Sequence, residues 1–141
     1  MILLDTNVLS ELMKAVPEAL VLQWMNTLPA DKYYISAITK AEIELGLALL
    51  PDGKRKGNLA IASTLMFDEF PDRCLPFDST AATNYAYIVA HRTRKGRPVS
   101  VEGAQIAAIA LSHNMSLATR NTSDFIFIEN LTLINPWLPP Q

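Results

Sequence analysis

The stretch Met1-Ile2-Leu3-Leu4-Asp5-Thr6-Asn7 places four apolar residues directly before an acid and two small polar residues. A short apolar run without alternating polar residues is typical of a strand buried on both faces in a parallel sheet. The polar residues that follow are typical of a helix start. We therefore expect Asp5 at the carboxyl end of the first strand, where open α/β sheets bind their ligands.

Further along the chain, short apolar segments alternate with longer stretches of helical spacing. Strands are predicted over residues 33–36, 74–77, 115–118 and 131–134. Helices are predicted over residues 7–13, 17–28, 39–50, 54–70, 79–94 and 101–113. This alternation predicts an α/β sandwich in which helices flank a mostly parallel central sheet. Residues 1–141 contain no linker or repeat and are expected to form a single domain.

The composition sets limits on partners and compartment. Twelve basic and 14 acidic side chains in 141 residues give a formal charge of −2, which excludes a strongly basic surface that holds nucleic acid by charge alone. The single cysteine, Cys74, suits a reducing cytoplasm, and we interpret it as part of the core. Short apolar runs and the early acid Asp5 predict neither a membrane span nor an export signal, so a cytoplasmic protein is expected.

Acids and amides recur at predicted strand ends or helix starts. Asp5 follows the first strand, Glu42 and Glu102 lie in predicted first helical turns, and Asn121 follows the strand over 115–118. Oxygen donors of this kind suit Mg²⁺ or Mn²⁺, and such a site suits phosphodiester hydrolysis. One cysteine and two histidines are too few for the usual tetrahedral zinc sites, and no glycine-rich phosphate loop occurs.

Five stretches carry a resemblance that covers nearly the whole chain. They are Met1-Ile2-Leu3-Leu4-Asp5-Thr6-Asn7-Val8-Leu9-Ser10-Glu11, Ser36-Ala37-Ile38-Thr39-Lys40-Ala41-Glu42-Ile43, Ala104-Gln105-Ile106-Ala107-Ala108-Ile109-Ala110, Leu117-Ala118-Thr119-Arg120-Asn121 and Ile134-Asn135-Pro136-Trp137. Together they resemble the PIN-domain toxins of VapC type, in particular their FitB-like branch. The resemblance implies a PIN fold, a Mg²⁺- or Mn²⁺-dependent endoribonuclease with tRNA as the expected substrate, and a homodimer. It also implies a VapB-like antitoxin as partner, with DNA contacted only through that antitoxin.

The resemblance also implies roles for individual residues. Asp5 and Glu42 match the first two metal-binding acids of the family, and Asn121 matches the fourth catalytic position. The polar residues beside them match positions expected to orient water or contact the RNA; these are Thr6, Asn7, Thr119 and Arg120.

The third acid position departs from the family pattern. Gly103 stands where the family carries an acid, and Glu102 lies one residue earlier. Successive helical residues point about 100° apart, so only the length of its side chain allows Glu102 to serve as the third catalytic and metal-binding acid. Glycine here also costs about 1 kcal/mol relative to alanine, so we expect no folding reason for it. We hypothesise that Gly103 attenuates a toxic nuclease.

Each acid also has a purely structural interpretation. Asp5 is a plausible helix N-cap, and Glu42 forms a predicted capping box with Thr39. Glu102 suits the positive end of a helix dipole. Asn121 and Asp124 can cap a short helical turn, and we interpret Asp124 as structural.

Other features leave alternatives open. The basic stretches over 54–56 and 92–97 either steer RNA or form solvated loops. Trp137 is expected to pack the C-terminal segment. Because of Gly103, an alternative function is a catalytically weak binding module that acts mainly as antitoxin partner in a DNA-binding repressor complex.

Overall fold

The computed structural model describes residues 1–140. Its strands are β1 Ile2–Leu4, β2 Tyr33–Ser36, β3 Cys74–Leu75, β4 Ser116–Ala118 and β5 Leu133–Ile134. Its α-helices are α1 Thr6–Leu12, α2 Ala19–Met25, α3 Ala37–Ala48, α4 Lys54–Asp68, α5 Ser79–Arg94 and α6 Val101–Ser112, with short 3₁₀ turns at Ala30–Lys32 and Thr122–Asp124. None of the helices in this described part has the length and apolar character that crossing a membrane requires.

The five strands form one sheet in the order β3-β2-β1-β4-β5, and every neighbouring pair is parallel. The predicted α/β sandwich with a mostly parallel sheet is therefore confirmed. The order of the strands reverses between β1 and β4, because β2 and β3 extend the sheet on one side and β5 on the other. Strands β1 and β4 are paired from Ile2 with Ser116 to Leu4 with Ala118. Crevices open at such a reversal, beyond the carboxyl ends of the strands.

The apolar residues of β1 divide the core into two layers. Leu3 packs among side chains of α5 and α6, whereas Ile2 and Leu4 pack with residues of α1, α2 and α3. All three residues are buried, as a strand covered on both faces requires. The layers fix β1, and thereby fix the position of Asp5 at its end.

Three details of the sequence interpretation need correction. The helix after β2 begins at Ala37 with Ser36 as N-cap, because the Ser36 hydroxyl accepts from the Thr39 amide; the predicted capping box of Thr39 and Glu42 is therefore wrong. Helix α2 ends at Met25, which leaves Leu28 40% exposed. Cys74 is exposed on the edge strand β3 and is not part of the core.

Candidate active site

A cavity of about 620 Å³ opens at the carboxyl edge of the sheet, at the reversal between β1 and β4. Most of the residues predicted from the sequence line it: Asp5, Thr6, Asn7, Glu42, Glu102, Gly103, Arg120 and Asn121. It is also lined by residues to which the sequence analysis gave no role in chemistry, namely Ser10, Glu11, Lys14, Ser100, Ile106, Asp124, Phe125 and Trp137. We call this cavity the acidic pocket.

Asp5 is a buried carboxylate without a cation beside it. It is 8% exposed, and the described residues give it no salt bridge. Oδ1 accepts from the Thr6 amide at 2.8 Å and Oδ2 from the Thr119 hydroxyl at 2.8 Å. Burial raises the pKa of Asp5, against the opposing effect of these two hydrogen bonds, and the nearby Asp124 raises it further. Asp5 does cap α1, but with one oxygen only.

Thr119 holds Asp5 from beneath the pocket. Its side chain is fully buried, its hydroxyl donates to Asp5, and its oxygen accepts from the Asn121 amide at 3.1 Å and the Asn7 side-chain amide at 3.3 Å. Asn7 Oδ1 in turn accepts from the Arg120 amide at 3.2 Å. The predicted contact of Thr119 with substrate is therefore replaced by an internal role, because no part of it reaches the pocket surface.

Thr6 links the second acid to the first. Its hydroxyl donates to Glu42 Oε1 at 2.7 Å, and its oxygen lies 3.0 Å from the Thr39 hydroxyl. A hydroxyl carries one proton, so Thr39 is the donor in the second bond. Glu42 lies in the second turn of α3 and bonds across to α1, which removes the capping-box explanation for this acid.

The helix start at α6 explains how Gly103 is accommodated. Ser100 caps the helix by accepting from the Gly103 amide at 3.0 Å. A Cβ added at Gly103 would lie only 2.7 Å from Ser100 Oγ, so any other residue forces the capping side chain to shift. The expectation that folding gives no reason for glycine here is therefore wrong. Glu102 lines the pocket from the first turn of α6, where it is exposed.

The segment after β4 forms one rim of the acidic pocket. Asn121 is the N-cap of the 3₁₀ turn Thr122–Asp124, but its side chain makes no capping hydrogen bond and lines the pocket instead. The Arg120 guanidinium lies over the indole of Trp137 at 5.2 Å. Trp137 does pack against the core as predicted, and it also supports the rim.

Three charged residues in the acidic pocket were missed as site residues by the sequence analysis. Glu11 is 6% exposed and accepts from Lys14 Nζ at 3.0 Å and the Glu18 amide at 3.1 Å. The Lys14 hydrogen bond lowers the pKa of Glu11 against the effect of desolvation. The spacing of four residues from Asn7 to Glu11 places both on one face of α1, a signal that would have found Glu11, whereas Lys14 lies beyond the C-cap Met13 and bonds back to Glu11. Asp124 was assigned to structure, although it lines the pocket near Asp5.

The charge and donor set of the acidic pocket suit a hard cation. Five acids and two bases line it, and within residues 1–140 only Glu11 among the acids forms a salt bridge. No three His, Cys, Asp or Glu side chains in that range stand close enough to hold an ion on their own. Mg²⁺ usually takes only one or two protein carboxylates and completes its shell with water and substrate phosphate. The buried, unpaired Asp5 fits that arrangement.

Comparison with known proteins identifies relatives over the full length. A family model described as PIN domain matches residues 2–128. The chain is 42% identical to the VapC ribonuclease Y4jK of Sinorhizobium fredii, over 99% of both chains. It is 40% identical to Toxin FitB of Neisseria gonorrhoeae, over 97% of this chain and 99% of FitB. A solved structure of FitAB bound to an IR36 DNA fragment contains a chain that superposes with a TM-score of 0.90, at 39% identity over 100% of this chain and 99% of that one.

Proposed function

Since the chain belongs to the PIN-domain family, among relatives named VapC ribonuclease and Toxin FitB, we propose that it is the toxin of a type II toxin–antitoxin pair and a divalent-metal-dependent endoribonuclease. The observation that carries the proposal is Asp5. A carboxylate buried without a cation is unfavourable for folding, and such residues persist where they serve a site. Its position at the sheet reversal, opposite Glu42, is where a substrate phosphate has access.

Asp5 and Glu42 would hold the cation, with Glu102, Asn121 and Asp124 as further oxygen donors around the pocket. A divalent cation supplies positive charge to a phosphate oxygen and makes water a stronger nucleophile near neutral pH. The chain itself positions the acids, since the Thr6 and Thr119 hydroxyls fix one oxygen of Glu42 and of Asp5.

Arg120 is the residue placed to receive the RNA backbone. Its guanidinium is exposed at the rim, lies over Trp137 and forms no salt bridge among residues 1–140 despite the surrounding acids. Guanidinium groups bind phosphate oxygens through paired N–H donors. We assign Arg120 to a phosphate next to the scissile one, and Asn7 to the support of the Arg120 backbone.

Gly103 attenuates the enzyme in this proposal. The third acid of the family is absent, and Asp124 on the facing turn supplies a carboxylate from another direction. One carboxylate fewer weakens metal binding and turnover, which makes the nuclease tolerable to the cell that produces it. A tenfold rate change corresponds to about 1.4 kcal/mol in the barrier, which is within the reach of one ligand.

For partners, we propose tRNA as the substrate, a VapB-like antitoxin that neutralises the toxin, and DNA contact only through the antitoxin. The FitAB–DNA complex among the structural relatives supports the antitoxin and the DNA contact, and the relative named VapC ribonuclease supports RNA as the class of substrate. A homodimer is proposed as well. Size-exclusion chromatography with light scattering checks it, and a monomer at working concentration would refute it.

The direct experiment incubates a total tRNA pool with the purified chain in Mg²⁺, in Mn²⁺ and in EDTA. We expect cleavage with either metal and none in EDTA. Asp5→Asn should be inactive in all three, while the exposed Asp52→Asn should cleave like the unaltered chain. Cleavage that persists in EDTA or in Asp5→Asn refutes the metal mechanism.

A binding module is the second candidate, and Gly103 is the observation that favours it. In that case the chain folds, binds its antitoxin and cleaves no RNA with either metal. RNA cleavage by Gly103→Asp but not by the unaltered chain would then identify a ribonuclease fold that is catalytically inactive because it lacks the third acid.

A further inference from the structure

A second cavity, of about 550 Å³, lies along α5 and outside the acidic pocket. It is lined by Tyr87, His91 and Arg92 of α5, by Asn114 after α6 and by Phe127 and Asn130 of the loop before β5. None of these residues takes part in the proposed chemistry. Among residues 1–140, Glu129 is the only acid that lines it, in contrast to the five acids of the acidic pocket. We call it the α5 groove.

The α5 groove contains a buried cation with a free donor. Arg92 is 5% exposed, its Nε donates to the Arg97 carbonyl at 2.6 Å, and its Nη1 has no hydrogen-bond partner within residues 1–140. A buried, unpartnered guanidinium nitrogen is unfavourable unless an acceptor reaches it. An anionic ligand supplies such an acceptor.

Aromatic rings form the wall next to this cation. The rings of Tyr87 and His91, one helical turn apart, are parallel within 9°, with centroids 6.3 Å apart. Tyr87 is 66% exposed although it is large and aromatic. Phe127 is 49% exposed and carries the Arg97 guanidinium at 4.1 Å from its ring centroid. Exposed aromatic faces beside cations are the recurrent surface for single-stranded nucleic acid, because every base has a π face.

The α5 groove and the acidic pocket share no lining residue, but two segments of the chain lead from one to the other. Four of the 12 basic residues of the chain fall within positions 92–97, directly before Ser100, which lines the acidic pocket. On the facing loop, Phe125 lines the acidic pocket and Phe127 the α5 groove. An RNA strand whose scissile phosphate lies in the acidic pocket is repelled there by unpaired acids, so it needs cations on the flanking nucleotides.

We propose that the α5 groove is an RNA exosite, in which the basic segment 92–97 holds the backbone flanking the cleavage site and Tyr87 stacks a base. This inference rests on the proposed ribonuclease function. It assigns the basic segment to substrate binding and excludes the interpretation of it as a merely solvated loop.

The test measures binding of a fluorescent, unstructured single-stranded RNA of about 20 nucleotides, several times longer than the smallest single-strand sites of about four. The full chain is kept in EDTA so that binding is separated from cleavage. Tyr87→Ala should weaken binding about tenfold, and Tyr87→Phe should bind within about twofold of the unaltered chain because the ring face remains. Thermal unfolding checks that each variant is folded.

A charge series supplies the matched control. Neutralising Arg94, Lys95 and Arg97 to glutamine should weaken binding and lower the slope of log affinity against log salt by about 2, at about 0.7 for each lost phosphate contact. The same three-charge change over 54–56, at the start of α4, should alter the affinity by less than about threefold, since a change in overall charge alone acts weakly in salt. Equal losses in both triple variants, an unchanged affinity in Tyr87→Ala, or no binding by the unaltered chain overturns the exosite.

The exosite and the proposed function fail separately. A chain that binds RNA through Tyr87 yet cleaves none with Mg²⁺ or Mn²⁺ refutes the ribonuclease and retains the groove. If the unaltered chain cleaves RNA with metal but every groove variant binds RNA as tightly as it does, the exosite is refuted and the ribonuclease function is retained.

Discussion

Replacing Asp5 with asparagine should have opposite effects on stability without and with metal. Asp5 is buried, accepts two hydrogen bonds of 2.8 Å and has no cationic partner within the described chain. Asparagine keeps nearly the same shape and can still accept from the Thr6 amide, but it carries no charge into the pocket. The metal-free protein should therefore become more stable, and the metal-bound protein less so.

The two effects differ in size. Desolvating a carboxylate costs several kcal/mol, and two hydrogen bonds to a charged group offset this by about 1.5–3 kcal/mol each. We therefore expect removal of the charge to raise the free energy of unfolding of the metal-free protein by about 1 kcal/mol. At about 2.1 cal/mol/K of unfolding entropy per residue, 141 residues convert this gain into about 3 °C of Tm. Metal at about 100 times its Kd stabilises the unaltered chain by about 2.7 kcal/mol, or about 9 °C, and that increment depends on Asp5.

Thermal unfolding in EDTA and in a Mg²⁺ or Mn²⁺ titration measures both effects. The curves of the unaltered chain and Asp5→Asn should cross as the metal concentration rises. Asp52→Asn, which removes an exposed carboxylate, controls for net charge and should stay within about 0.5 kcal/mol of the unaltered chain. The reasoning is refuted if Asp5→Asn gains as much stability from metal as the unaltered chain, or if it is the less stable protein in EDTA.

Three further predictions concern the same pocket. Gly103→Asp should raise metal-dependent tRNA cleavage about tenfold, whereas Gly103→Ala, which crowds Ser100 equally, should not; equal rates in a gel cleavage assay would count against attenuation. Thr6→Val should lower the cleavage rate about tenfold and the free energy of unfolding by about 1 kcal/mol, because Glu42 loses its hydrogen-bond donor. Thr6→Ser keeps the hydroxyl, so its cleavage rate should stay within about twofold of the unaltered chain and its stability should be retained. A Thr6→Val variant as active as Thr6→Ser contradicts this role. Burial raises the pKa of Asp5 in the folded state above its ordinary value of 3.8, so the folded state holds the carboxyl proton more tightly than the unfolded state does. The contribution of Asp5 to the free energy of unfolding of the metal-free protein therefore falls as the pH rises from the unfolded pKa through the folded one. Urea unfolding from about pH 4 to about pH 7 should show this fall in the unaltered chain and not in Asp5→Asn.

The sequence predicts the sheet and the main acids because local patterns decide them. The buried strand β1, the helix over residues 79–94 and the helix that begins at Val101 depend on runs, spacing and capping chemistry within a few residues. Asp5 was predicted as a site residue because its place at a strand end follows from the same local pattern.

Contacts between distant segments were not predictable from local patterns. The bond from Thr6 to Glu42 joins residues 36 apart in sequence, and the bond from Thr119 to Asp5 spans 114. The crowding of Gly103 by Ser100 depends on how the cap closes, which helix propensity alone does not describe. Trp137 was assigned to packing because nothing local indicates that the chain after β5 returns to the acidic pocket.

The chemical ends of the RNA products test the central claim most directly, because they report which nucleophile attacks the phosphate. If the chain's acids and a divalent cation activate water and the ribose 3′ oxygen is the leaving group, cleavage of a labelled RNA leaves a 5′-phosphate and a 3′-hydroxyl, and only when metal is present. Mass spectrometry of the fragments, with Asp5→Asn purified in parallel, reads this outcome. Fragments that end in a 2′,3′-cyclic phosphate and form equally in EDTA would show attack by the ribose hydroxyl and would contradict a metal-dependent site at Asp5.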